Sequence, residues 1–169
     1  PYTLPLEPTM RLTDTEINNA NHFYNTINHS RPLNLMETSG ESGQTFWNHD
    51  WTVKTIQLLC NNNETVLVSN KTNVIGNLQE QYKNKVYFVG HLSIREVSEL
   101  FNKCHRFFSV SSGLSNSCNT NWCKKDIQWI EVINSPAVSS APIRSTNKEY
   151  WYDNNLNKFI DFVANRLQK

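Results

Sequence analysis

The sequence predicts a doubly wound α/β domain, with a mostly parallel sheet in three layers and a flanking helix at each terminus. Three observations carry this. Five short apolar runs, rich in β-branched and aromatic residues, lack polar alternation, as strands buried on both faces do. Segments with apolar residues at three- and four-residue spacing lie among them and read as crossover helices. The chain has 169 residues, enough for one domain with a proper core and too few for two ordinary ones.

In chain order, residues 1–12 hold three prolines and no period, and read as an extended lead-in. Thr13-Asp14-Thr15-Glu16 has the form of a capping box, and Ile17, Ala20, Tyr24 and Ile27 follow at helical spacing, so a helix is expected over about 14–27. Pro32 opens a buried strand over 33–36. Glu37 ends it, and a polar loop follows. A helix over about 50–60 has Trp51, Ile56, Leu59 and Cys60 on its inner face, Asp50 as N-cap and the run Asn61-Asn62-Asn63 as its stop. Strands are expected over 65–69 and 86–89. Ser93 and Glu96 form a second capping box, opening a helix in which Ile94, Val97, Leu100, Phe101 and Cys104 keep a 3-4 spacing. A fourth strand over 107–110, a short helix reaching about Trp122 and a fifth strand over 129–133 come next. Residues 134–149 read as loop, with Pro136, Pro142 and many serines. Leu156, Phe159, Ile160, Val163 and Leu167 define a closing helix. Right-handed crossovers make such a sheet Rossmann-like. The expected division is a lead-in and linker helix over 1–31 and the Rossmann-like domain with its closing helix over 32–169.

Composition narrows the function. Charged residues are 18% of the chain, its net charge is +1, and 24 positions are asparagine. No surplus of Lys and Arg exists to displace counterions, which argues against nucleic acid as a partner. No run approaches eighteen apolar residues, so no membrane span is expected. The 19 aromatics, five of them Trp, argue against disorder. The four cysteines form no Cys-x-x-Cys pair and the His residues fall at no zinc-ligand spacing, so no metal is expected. Cys60 and Cys104 read as small buried hydrophobes, while Cys118 and Cys123 are near enough in sequence to pair without any feature demanding it. Three Asn-x-Ser/Thr matches, at Asn28, Asn63 and Asn70, are expected by chance in so Asn-rich a chain. No signal peptide is visible, and Pro1 suggests a trimmed chain or one piece of a longer polypeptide. A cytoplasmic location is the working assumption.

Ligands of an open parallel sheet bind outside the carboxyl ends of its strands. Three loops are expected there: 38–47, 90–93 and 111–116. The Ser111-Ser112-Gly113 turn, leading from a strand into a helix, offers free N–H groups, hydroxyls and a positive helix end, which together suit phosphate. Gly113 would permit close backbone approach. The same residues also suit a structural turn with a helix cap.

The order of these parts is similar to that of a known family. The block running from Gly90-His91-Leu92-Ser93 through Glu96, Leu100 and Cys104 to Ser109-Val110-Ser111-Ser112-Gly113-Leu114-Ser115-Asn116 resembles the donor-binding half of heptosyltransferase-like enzymes, glycosyltransferase family nine. There a "G-x-x-S-L-x-E-L-A-x-L-x-x-x-A" helix precedes a strand and "D-(S/T)-G-(L/P)-x-H". The upstream arrangement also fits, with Glu37 to Gln44 leading to Trp47 and Trp51. The resemblance spans roughly 32–133, and its best motif is Ser112-Gly113-Leu114-Ser115.

The resemblance implies two facing Rossmann-like domains, the second of which binds a nucleotide-diphosphate sugar as substrate. It implies that Ser111, Ser112, Gly113, Leu114, Ser115 and Asn116 lie at the donor diphosphate. It places Ser39, Ser42, Gly43 and Gln44 at the phosphates as well, and Gly90 and His91 beside the nucleoside. It implies no cofactor and no metal, and an acceptor domain upstream in the same polypeptide that carries the catalytic base. The chain departs from the family at Ser111, where the family has an acid, at Asn116, where it has His, and in the first loop, which lacks a basic residue and has Gln44 instead.

Individual residues admit paired readings. His91 either meets a base or is an exposed loop residue. His105 is expected to cap the preceding helix. Glu37 either binds a ribose or sugar hydroxyl or is a solvated turn residue. Glu41 would need a substrate proton within reach to act as a base. Trp47 and Trp51 read as packing residues, and Trp122, Trp129 and Trp151 as core or domain contacts. Helix phase turns Arg95 and Lys54 outward. The leading function is therefore donor binding in an inverting, metal-independent glycosyltransferase of the two-domain GT-B type. The alternative is a non-catalytic module of the same ancestry, with Trp151 and Tyr152 in a partner patch. A sugar-phosphate epimerase would need a Gly-rich first turn that Ser39-Gly40-Glu41-Ser42-Gly43 fits poorly.

Overall fold

The computed structural model describes residues 9–27, 30–38, 45–70, 75–134 and 147–167. Its elements run α1 (Asp14–Thr26), β1 (Leu33–Met36), α2 (His49–Asn61), β2 (Thr65–Val68), α3 (Ile75–Gln81), β3 (Val86–Phe88), α4 (Ile94–Phe101), β4 (Arg106–Ser109), α5 (Gly113–Cys118), β5 (Gln128–Val132), β6 (Lys148–Trp151) and α6 (Leu156–Leu167). Both expected capping boxes form. The Thr13 and Ser93 hydroxyls accept from the N–H groups of Glu16 and Glu96, whose carboxylates accept in return from the cap N–H groups at 2.7 Å. Each box satisfies helix donors that would otherwise lack a partner.

The sheet has the order β3-β2-β1-β4-β5-β6, and every pair in it is parallel. Leu35 stands opposite Leu67 on one side and Phe107 on the other, and Phe107 stands opposite Trp129. Because side chains alternate along a strand, this row faces one way and Met36, Val68, Phe108 and Ile130 face the other. The first face packs on α1, α4 and α5, where Phe101, Phe107 and Trp129 form an edge-to-face cluster with ring centres 5.1–6.0 Å apart. The second face packs on α2, α3 and α6, where Phe159 lies against Trp47 and Trp51. Each of these fully buried rings stabilises the fold by roughly 1.5–3 kcal/mol relative to exposure. The result is the expected three-layer, Rossmann-like α/β architecture.

The path of the chain positions the site. From β1 it moves outward to β2 and β3, with α2 and α3 on one face. Then α4 returns along the other face and sets β4 on the free side of β1. The carboxyl ends of β1 and β4 are therefore the switch point, beside which ligands of such a sheet bind.

At the opposite, amino end the sheet is tied by a buried polar network. The Arg106 guanidinium donates to both Glu64 oxygens at 2.9 and 2.7 Å and to Gln128 Oε1 at 2.8 Å, and the Asn34 amide donates to Glu64 at 2.8 Å.

Several sequence expectations need correction. The 134–149 stretch is not all loop, since it contains the start of the edge strand β6, and α3 was not expected at all. Both have a weak apolar signature: α3 has only Ile75 and Leu78, with Tyr82 just beyond it, at helical spacing, and β6 reads Lys-Glu-Tyr-Trp. Asn48, not Asp50, caps α2, with its side chain accepting from the Asp50 and Trp51 N–H groups at 2.9 and 3.3 Å. The helix after Ser112 stops at Cys118 rather than near Trp122. His105 caps nothing. Its N–H donates to the Leu33 carbonyl at 2.7 Å and its Nδ1 accepts from the Leu33 N–H at 3.2 Å, which splices β4 to β1. Trp151 is half-buried against Phe159 and Phe162, so it offers no exposed patch, although Tyr152 beside it is exposed.

Candidate functional site

A cleft of about 230 Å³ lies at the carboxyl ends of β1, β2 and β3, bordered by α4 and α5. Glu37, Ser69, Asn70 and Gly90 supply its polar lining, and Val89, Leu92, Ile94, Val97 and Leu114 its apolar wall. Backbone bonds carry the strand ends into it: Glu37 N–H donates to Phe108 O at 2.8 Å, Ser69 N–H to Met36 O at 3.0 Å and Val89 N–H to Val68 O at 2.9 Å. Asn70 Oδ1 accepts from the Thr38 N–H at 2.8 Å and the Ser69 hydroxyl at 3.1 Å, holding the β1 and β2 loops together.

Gly90 is fixed by its neighbours. A Cβ there would strike the Phe88 ring and come 2.6 Å from the Ser69 carbonyl oxygen. Gly113 is different: an added Cβ would meet only Ile94 Cδ1, at 3.8 Å, an ordinary contact. Packing within the protein does not require glycine at this turn.

The Ser112 turn is a capping box on a short helix. Ser112 Oγ accepts from the Ser115 N–H at 3.1 Å, and Ser115 Oγ accepts from the Ser112 N–H at 3.0 Å and donates to Ser112 O at 2.9 Å. The Gly113 and Leu114 N–H groups, first in α5, have no intrahelical acceptor. Gly113 and Asn116 are exposed, Leu114 and Ser115 are buried, and Ser111 is half-buried.

Ser112 Oγ also makes a short hydrogen bond to Glu37 Oε2, joining the ends of β4 and β1. Glu37 is only 6% exposed, so it is not a solvated turn residue. Burial pushes its carboxyl up to about 7. The Ser112 hydrogen bond and the Ser115 N–H oppose that rise, and the Glu131 carboxylate adds to it. Glu131 is itself buried against Lys148, whose Nζ lies 2.5 Å from Glu131 Oε2 and 4.0 Å above the Trp129 ring.

Of the residues singled out from sequence, the cleft lining includes Gly90 and Leu114, and Ser112 reaches it through Glu37. His91 is turned away. It packs edge-on to Phe23 at 5.5 Å, in an adjoining hollow shared with Asn19, His22 and Glu96 between α1 and α4. Ser39, Ser42, Gly43 and Gln44, with Glu41, lie outside the described residues. Arg95 is engaged by Glu16 at 2.5 Å. All four cysteines are free thiols, and burial raises Cys60 to about 11 and Cys104 to about 12, as inert core residues require. Sequence reasoning missed Ser69 and Asn70, although the same carboxyl-end rule that marked the other loops applies to the end of β2.

The strand order and the switch point between β1 and β4, with the cleft beside it, define a Rossmann-like α/β domain. Several solved glycosyltransferases are similar to it. ADP-heptose lipopolysaccharide heptosyltransferase II of E. coli is similar with a TM-score of 0.70 at 11% identity, over 99% of this chain and 56% of that one. E. coli heptosyltransferase WaaC, solved with ADP, is similar with a TM-score of 0.60 at 16% identity, over 86% of this chain and 48% of that one. A glycosyl transferase family 9 protein of Veillonella parvula gives 0.56 at 11% identity, over 93% and 47%. At such identities the likeness establishes the fold, and the chain spans about half the length of these proteins. No protein-family profile and no curated protein matches the sequence. Among the described residues, no helix is long and apolar enough to cross a membrane.

Proposed function

We propose that this chain is the donor-binding domain of a two-domain glycosyltransferase of the GT-B type, taking a nucleotide-diphosphate sugar. The observation that carries the reading is the cleft beside the β1/β4 switch point, on a fold shared with about half of two heptosyltransferases, one of them solved with ADP. The diphosphate lies at the Ser112-Gly113 turn, where the Gly113 and Leu114 N–H groups await an acceptor and no core contact excludes a side chain from position 113. On this reading the restriction at Gly113 comes from the ligand. Ser39, Ser42, Gly43 and Gln44 are further donor contacts on this reading, and Ser111, Ser115 and Asn116 flank the turn. Gly90 borders the nucleoside, and His91 lines the adjoining hollow.

The chemistry is inverting transfer. A base on a second Rossmann-like domain, upstream in the same polypeptide, deprotonates the acceptor hydroxyl, while this domain stabilises the departing diphosphate with oriented N–H dipoles. The reading includes no resident metal or cofactor. Four unpaired thiols are consistent with a reducing, cytoplasmic compartment. The chain by itself binds the donor without turning it over. Calorimetric titration with ADP, GDP and UDP at mildly acid pH tests this. Expected is binding of one of the three, lost in Gly113→Val; no heat of binding for any base at millimolar ligand rejects it.

A further inference from the structure

The wall of the cleft carries a group that a diphosphate site would not ordinarily tolerate. Glu37 is 6% exposed, lines the cleft, and is bonded directly to the first residue of the Ser112-Gly113 turn. An anion seated on the N–H groups of that turn would lie one side chain away from this carboxyl, in surroundings that screen charge poorly. Among the described residues no cation pairs with Glu37. Described cations on surrounding elements are committed elsewhere: Arg95 to Glu16 and the Arg11 carbonyl, Lys148 to Glu131, and Arg106 to Glu64. The titratable groups that reach Glu37 are Glu131 of β5, which repels its charge, and the Cys118 thiol of α5, itself held neutral by burial. Burial and the Glu131 charge favour the uncharged acid, and the Ser112 hydroxyl and Ser115 N–H, which favour the carboxylate, offset them only in part.

We propose that Glu37 sets the charge the cleft accepts: it holds a proton whenever a diphosphate occupies the Ser112-Gly113 turn, so ligand binding takes up one proton from solvent. This rests on the donor-binding reading and adds to it a residue that governs specificity. As a neutral acid, Glu37 still accepts from the Ser112 hydroxyl, and its own O–H becomes a donor, whereas the carboxylate offers acceptors alone. As a carboxylate it repels the diphosphate. Burial holds the carboxyl near 7, so the proton is gained or lost within a unit or so of neutrality.

Sugar nucleotides test this cleanly, because both of their phosphates are esterified and neither titrates near neutrality. ADP-glucose, UDP-glucose and GDP-mannose are titrated into the whole chain at about pH 6 and about pH 8, in buffers of different ionisation enthalpy. Expected is about tenfold weaker binding at the higher pH, with close to one proton taken up per ligand there. Glu37→Gln keeps an acceptor for Ser112 and is expected to bind at both pH values as the unaltered chain does at the lower one. Absence of proton uptake in the unaltered chain, which needs no variant, overturns the inference. So does a pH slope that persists in Glu37→Gln, or equal affinity at both pH values in the unaltered chain. In each of these cases donor binding itself stands. Failure of every sugar nucleotide to bind either protein at either pH overturns the donor-binding reading and this inference with it.

Discussion

Two buried glutamates stand at opposite ends of the same sheet, and they are treated differently. Glu64, at the amino end, is met by the Arg106 guanidinium through both oxygens and by the Asn34 amide. Glu37, at the carboxyl end, is met by one serine hydroxyl and lies within range of a second carboxylate. The first arrangement neutralises a charge and leaves nothing for chemistry. The second leaves a carboxyl whose protonation is undecided near neutrality, at the place where this fold binds ligands. Perturbed groups mark functional ends of folds because a site must keep polar atoms available there, whereas a structural end can pair them off.

The comparison breaks most forcefully at Arg106. Arg106→Met leaves Glu64 buried without its partner and is expected to cost about 3–5 kcal/mol, read from urea unfolding. A loss below about 1 kcal/mol would mean that the network contributes little and that the two ends differ less than their contacts suggest.

Glu37→Gln tests the other end. The folded carboxyl is raised from 4.5 to about 7, so the native state binds more protons than the unfolded chain between those values. Stability is therefore full below about pH 4.5 and is lost as pH rises through about 7. The loss is on the order of 2–3 kcal/mol. Gln does not titrate, so the variant is expected to match the unaltered chain near pH 4.5 and to exceed it by about that amount at pH 8. Thermal melts across this range decide it, and a variant that tracks the unaltered chain at every pH would place Glu37 among ordinary carboxylates.

Two smaller effects sharpen the picture of the cleft. Gly90→Ala forces a methyl against the Ser69 carbonyl, which cannot swing aside as the Phe88 ring can, and is expected to cost about 2 kcal/mol in chemical denaturation. Gly113→Ala meets only ordinary contact and should be tolerated in the same assay, so the pair separates a glycine held by packing from one that is not. Ser112→Ala removes the α5 cap and is expected to cost about 1 kcal/mol. It also removes a bond that stabilises the Glu37 carboxylate, so the Glu37 titration, followed by carbon NMR, should move further upward.

Much of the architecture was legible from local pattern. The runs at Leu33 to Met36 and Thr65 to Val68 are apolar because both faces of the sheet are covered, and burial is complete along them. The Thr13 and Ser93 boxes could be read because capping is a contact across three residues of sequence. The α3 helix and the β6 strand were not read: α3 offers only Ile75 and Leu78, with Tyr82 just beyond it, at helical spacing, too short a run to stand out, and β6 has no apolar alternation. The same limit applies to the site. The Ser112-Gly113 turn announced itself, because turn chemistry is local. Ser69 and Asn70 did not: they end an expected strand, where the carboxyl-end rule applies, but carry no glycine or cap pattern of their own to mark a site.

The sequence by itself determined the class of fold, the order of most of its elements, and the loops in which a ligand could be held, because each of these follows from residue spacing and propensity over a few turns of chain. Tertiary structure decided what those residues are in chemical terms. Glu37 and Ser112 are 75 positions apart, and only the return of α4 across the sheet sets β4 beside β1 and brings them into one hydrogen bond. That meeting buries a strand-end acid in the wall of the cleft, with no cation paired to it among the described residues.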